Sequence, residues 1–285
     1  MGNAKDFWMV GGDERQAVLA GLLAADGHRV HVCAMEERLR CEPGLDGIGE
    51  ARCVILPLPV LDPDGRLHTP LSRGKLRPEA VLDRLRPGQA VLAGRVPPSL
   101  YRMAEERGLT LEDYFAREEL AVLNAIPTAE GAIQLAMELL PVTLHGARVL
   151  LIGFGRLGQA LGPRLRGLGA SVSVAARRAE QRALAGSMGL GSRRPEGLKE
   201  WLCAYDLVIN TAPAPVLGVE ELAALKEGTP VIDLASLPGG VDDESAAALG
   251  VRVVHALSLP GKTAPVTAAR YLRDTVYHML EGEEC

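Results

Sequence analysis

Aromatic side chains are scarce, at 4% of the 285 residues, so the 47% hydrophobic content that builds the cores is mainly aliphatic. Positive charge is not in excess either. A formal net charge of -5 and a pI near 5.8 argue against a general nucleic-acid binder. No CxxC pair occurs, and the five cysteines (Cys33, Cys41, Cys53, Cys203, Cys285) are odd in number. They read as reduced thiols, not as a disulfide framework or a zinc site, and no metal-ligand spacing stands out. No apolar run reaches the length of a membrane span, and the N-terminus lacks a basic region followed by an apolar one. The reading is a cytoplasmic protein with no membrane partner, long enough for two domains.

What is present centres on Ala147 to Arg178. Arg148-Val149-Leu150-Leu151-Ile152 is an apolar run suited to a buried parallel strand. Gly153-Phe154-Gly155-Arg156-Leu157-Gly158 follows at once, then a helical stretch to Gly167-Gly169 and a second apolar strand, Ser171 to Ala175. This strand–GxGxxG–helix–strand context is what a dinucleotide fingerprint requires. Gly153 permits the tight turn, Gly155 lets a pyrophosphate approach the backbone, and Gly158 lets helix and strand pack closely. The helix N-terminus offers free N–H groups to phosphate. The second strand ends in Arg177-Arg178, where an NAD site usually carries Asp or Glu. Arginine there accommodates a 2′-phosphate, so the cofactor reading is NADP.

Before this unit, Phe7 to Val10, Val30 to Cys33, Cys53 to Leu56 and Ala90 to Ala93 read as strands, with helices at Glu14 to Ala25, Leu82 to Leu85 and Pro98 to Arg107. The turn Gly11-Gly12-Asp13-Glu14-Arg15-Gln16 lacks the later glycine of the fingerprint, so this part reads as a Rossmann-like substrate or partner domain. Arg15, near a helix start, and Arg95, directly after a strand, are candidate anion contacts. Leu61 to Leu76 has no clear period and reads as a functional or mobile loop. Asn124 to Gly131 opens an apolar helix with Pro127 in its first turn, leaving Thr128 and Glu130 as ligand candidates.

After the fingerprint, three strands end in small or polar turns: Asp206 to Asn210 before Thr211-Ala212-Pro213, Thr229 to Leu234 before Ala235-Ser236-Leu237-Pro238-Gly239-Gly240, and Val251 to His255 before Ala256 to Pro265. Backbone can approach a nicotinamide at such turns. Gly261-Lys262-Thr263 imitates a P-loop, but Ala256 stands where its first glycine belongs, which speaks against an ATPase. The expected fold is α/β with two Rossmann-like domains and a cleft between them, the second a doubly wound parallel sheet. Residues 1–125 form the first and 126–285 the second, with a last helix at about 266–281 packing back on the first.

Five segments together carry a resemblance: Asn124 to Gly131 (NxIPTxEG), Gly153 to Gly158, Asp206 to Pro213, Asp233 to Gly240 (DLASxPGG) and Leu259 to Ala268 (LPGxxAPxTA). The chain resembles the dipicolinate synthase A-subunit family of spore-forming bacteria over nearly its whole length, the opening Gly11 to Gln16 included. The resemblance implies an NADP-linked oxidation of a dehydrated 4-hydroxy-tetrahydrodipicolinate to dipicolinate. It also implies a second, flavoprotein-like subunit working with this one, and a homo-oligomer is expected. Such a site must hold two carboxylates and aim one ring carbon at the nicotinamide.

The candidate cofactor contacts are Gly153, Phe154, Gly155, Arg156, Leu157, Gly158, Arg177, Arg178, Asn210, Thr211, Ala212, Ala235 and Ser236. For substrate they are Arg15, Arg95, Thr128 and Lys262; for proton transfer, Lys262, His255 and Glu130. Two other readings stay open. Pro260 to Thr267 also resembles the PGGVGPMT segment of methylenetetrahydrofolate dehydrogenases, so a different NADP dehydrogenase, of that or the 2-hydroxyacid type, is one. A nucleotide-binding subunit without chemistry of its own is the other.

Overall fold

Short apolar runs become parallel strands buried on both faces, which is why they read as continuous hydrophobic stretches instead of alternating ones. The computed structural model describes residues 4–236 and 238–282; Cys285 of the thiol reading and Leu237 of the second turn lie outside them. The chain forms two units. One holds the chain up to Asn124 together with the chain from Pro260, and the other runs from Ala125 to Leu259.

The first unit carries β1 (Asp6–Val10), α1 (Glu14–Ala25), β2 (Arg29–Cys33), β3 (Cys53–Ile55), α2 (Pro78–Leu82), β4 (Ala90–Ala93), α3 (Pro98–Glu105) and β5 (Thr110–Asp113). Its parallel sheet has the order β2-β1-β3-β4-β5, a doubly wound order whose switch point lies between β1 and β3. β5 has no counterpart in the sequence reading, because Thr-Leu-Glu-Asp alternates in polarity and sits at the sheet edge. The segment 61–76 is ordered by its own contacts. Asp62 accepts from the N–H groups of Asp64 and Arg66, and Leu67 is fully buried.

The helix α4 (Glu118–Leu139) carries the chain from the first unit into the second. The sequence reading starts this helix at Pro127; the structure starts it at Glu118, with Pro127 in its interior. An interior proline forfeits one N–H and costs about 3 kcal/mol, which the packing of a long apolar helix offsets. Ala129, Ala132 and Ala136 are fully buried in the core of the second unit. Thr128 therefore lies inside the helix instead of capping its start, and Glu130 is exposed in mid-helix. At 22 residues and a mean hydropathy of 1.2, α4 is long and apolar enough to cross a membrane by length and composition alone.

The second unit continues with β6 (Arg148–Ile152), α5 (Arg156–Gly167), β7 (Ser171–Ala175), α6 (Ala179–Ser187), β8 (Gly191–Arg193), β9 (Leu207–Asn210), α7 (Val219–Ala223), β10 (Val231–Asp233), α8 (Asp243–Ala248) and β11 (Val253–His255). Its order, β11-β10-β9-β6-β7-β8, is the six-stranded dinucleotide-binding order with the switch point between β6 and β9. α9 (Leu259–Thr263) and α10 (Pro265–Glu281) follow. α10 packs on α1, its Ala269, Leu272 and Val276 joining Leu19 and Leu23 in one core of the first unit.

Candidate dinucleotide site

At the carboxyl end of β6 the chain turns through Gly153, whose φ of 89° no side-chain-bearing residue adopts comfortably. A Cβ at Gly153 would also lie 2.6 Å from the Thr211 Oγ1. At Gly158 the constraint is different: a Cβ there would stand 2.7 Å from the Gly153 carbonyl oxygen, so glycine lets α5 close on the turn. Gly155 is the N-cap of α5 and no side chain caps that helix. A Cβ on Gly155 would meet nothing within 4 Å. The open space in front of uncapped N–H groups is a cradle for an anion.

A cavity of about 430 Å³ adjoins this cradle. Its walls come from the β6 turn (Ile152 to Gly155), from the end of β7 (Ala175 to Arg178) with Gln181 and Pro195, and from the turn after β9 (Thr211 to Val216). Arg177 and Arg178 supply its positive charge. Arg182 from α6 holds that wall, its Nη1 donating to the carbonyls of Ala176 and Arg177 at 2.9 and 2.6 Å. The Arg178 Nε lies 3.3 Å from the Glu180 carboxylate, both exposed. Phe154 lends only backbone here, since its ring is buried in the core. Leu157 likewise packs on that core. Gln181, Pro195 and Val216 escape the sequence reading, because they reach the cavity from segments with no motif of their own.

Asn210, Asp233 and His255 stand side by side in the parallel register at the ends of β9, β10 and β11. The Asn210 side chain closes the turn after β9: its Oδ1 accepts from the Ala212 N–H at 3.0 Å, and its Nδ2 donates to the Ala212 carbonyl at 3.1 Å. Ala235 is buried and its N–H donates to the Asp233 Oδ1 at 3.0 Å; Ser236 follows at partial burial. His255 keeps its Nε2 2.7 Å from the Asp243 Oδ1.

In the first unit Arg15 is buried and committed internally. Its guanidinium donates to both carboxylate oxygens of Asp13, at 2.8 to 3.1 Å, and to the Leu58 carbonyl at 2.7 Å. Gly261 packs on this pair, a Cβ there falling 2.7 Å from the Asp13 Oδ2, and Lys262 beside it is exposed. Arg95 adopts a φ of 57°, and its N–H donates to Asp113 at 3.0 Å. No group of three or more His, Cys, Asp or Glu among the described residues is arranged to hold a metal.

The fold and the open glycine turn define a dinucleotide-binding protein of the Rossmann class. In agreement, residues 125–249 match the NAD binding domain of the D-isomer specific 2-hydroxyacid dehydrogenases. Residues 6–115 match the N-terminal domain of the dipicolinate synthase A subunit. Over 95% of this chain and 94% of the relative, the sequence is 29% identical to the A subunit of dipicolinate synthase from Bacillus subtilis (strain 168). The crystal structure of the corresponding A subunit from Bacillus halodurans is 30% identical, covers 97% of both chains and superposes with a TM-score of 0.87. A transhydrogenase from Sinorhizobium meliloti, 19% identical over 97% of this chain and 94% of its own, shares the fold at a TM-score of 0.70. The chain belongs to the dipicolinate synthase A-subunit family.

Proposed function

We propose that this chain oxidises a dehydrated 4-hydroxy-tetrahydrodipicolinate to dipicolinate with NADP, alongside a second, flavoprotein-like subunit. The observation that carries the cofactor choice is the wall at the end of β7. Arg177 and Arg178 line the cavity there, and among the described residues no carboxylate lines it to hold a ribose 2′-hydroxyl. The uncapped α5 and the empty space at Gly155 fit a pyrophosphate. When bound, the nicotinamide accepts the hydride.

The chain's own residues bind and orient. Loss of water from the 4-hydroxy tetrahydro ring leaves a dihydro ring, and loss of one hydride and one proton then leaves the aromatic pyridine. Little further chemistry is required beyond position. Lys262 is the cation we assign to a substrate carboxylate, because Arg15 is already neutralised by Asp13. His255, held by Asp243, is the group we assign to the proton.

The test is titration of the R177A/R178A double variant with NADPH and NADH. Affinity for NADPH should fall at least tenfold more than for NADH, since only NADPH carries the 2′-phosphate. Equal losses would sink the NADP reading. Wild-type chain that produces no dipicolinate from the tetrahydro precursor and NADP, with or without its partner, would sink the reaction.

A further inference from the structure

One carboxylate in the second unit has no role in the binding described so far. Asp233 is fully buried, yet no cation among the described residues hydrogen-bonds to it; the nearest basic nitrogen is His255 Nδ1 at 3.7 Å. Its charge is met instead by three neutral donors. The Asn210 Nδ2 reaches Oδ1 at 2.9 Å, the Ala235 N–H reaches the same oxygen at 3.0 Å, and the Gly240 N–H reaches Oδ2 at 2.8 Å. Burying a charge this way is costly unless each lone pair is used. A neutral side chain would hold one turn more cheaply.

The partners explain the arrangement. Asn210 closes the turn at Ala212; Ala235 and Gly240 bound the turn after β10. Thr211 in turn bonds back to the Ile152 carbonyl through both its N–H and its hydroxyl, against Gly153. A single carboxylate thus locks two turns at the sheet edge to the phosphate turn. Position says which half of the dinucleotide they serve. The pyrophosphate cradle sits on β6, and the arginine wall lies towards β7. A ligand crossing the switch point must lay its other half, the nicotinamide, towards β9 and β10.

We propose that Asp233 is a positioning residue for the nicotinamide, acting through Asn210 and the 235–240 turn. This inference rests on the dinucleotide reading of the site, but not on the 2′-phosphate. The test compares Asp233→Asn with wild type for three quantities: affinity for whole NADPH, affinity for its fragment 2′-phospho-ADP-ribose, and the emission of bound NADPH. The NADH and ADP-ribose pair is measured alongside. The variant should bind the fragment within twofold of wild type, bind the whole dinucleotide about tenfold more weakly, and lose the emission change that reports an immobilised nicotinamide. Equal losses for fragment and whole cofactor would reduce Asp233 to a structural residue and overturn the proposal. Unchanged emission and affinity would overturn it as well. Should Asp233→Asn fail to fold, Asn210→Ala removes one donor and leaves the other two, and must show the same split in weaker form. Wild-type chain that binds neither cofactor would instead refute the proposed function.

Discussion

The two units each place a glycine turn between a first strand and a twelve-residue helix, and they use it in opposite ways. In the first, Asp13 is the N-cap of α1, with φ -95° and ψ -166°. In the second, Gly155 is the N-cap of α5, with nearly the same φ of -79° and ψ of -163°. The backbone is therefore alike, and the side chain decides. Asp13 accepts from the Arg15 N–H, and Gln16 returns the bond to the Asp13 N–H, so the helix end carries its own anion. The end of α5 is left bare for someone else's. A helix N-terminus becomes a phosphate site when the sequence withholds the cap as well as supplying the glycine.

Importing the first solution into the second unit is the strongest way to break this contrast. Gly155→Asp fits the extended backbone without strain and should cap α5 in place of phosphate. NADPH affinity should fall more than about 1,000-fold, roughly 4 kcal/mol, while the melting temperature holds or rises. Near-normal NADPH binding by a folded variant would refute the role of the open turn. The reverse change has a smaller, purely structural effect. Asp13→Ala strands the buried Arg15 guanidinium and should destabilise by about 3 kcal/mol, measured by urea unfolding, without creating nucleotide affinity.

The smallest expected effect concerns acidity. Burial holds the His68 imidazole below its ordinary pKa, and its carbonyl accepts from the Gly12 N–H. The unfolded chain therefore binds the proton more readily, so stability is lost as pH falls below about 6.5 and continues to fall through the lower folded value. His68→Gln should flatten that acid-side loss by less than about 1 kcal/mol. An identical pH profile for wild type and variant would show that His68 contributes nothing to it.

Much of this is legible without coordinates. The fingerprint and its flanking strands announce themselves because strand, turn and helix are contiguous, and the three later strand ends follow the same local grammar. The family follows from motifs scattered along the chain. The start of α4 is not legible, because Pro127 is a good helix opener by local rule, and only packing of the alanine face shows the helix passing through it. Arg15 looks available from its place near a helix start. Its commitment to the Leu58 carbonyl joins residues 43 apart, which no local pattern reveals. Asp233 reads as part of a motif, and its function as a clamp depends on Gly240 and Asn210 arriving from opposite sides.

The placement of α10 has a consequence for how the protein is made. The core of the first unit needs Ala269, Leu272 and Val276, but the 135 residues from Ala125 to Leu259 are translated first. At about 5–20 residues per second that interval is on the order of ten seconds. A nascent chain thus carries α1 without its α10 partner for as long as the nucleotide-binding unit is being made. The unit written first is the one finished last.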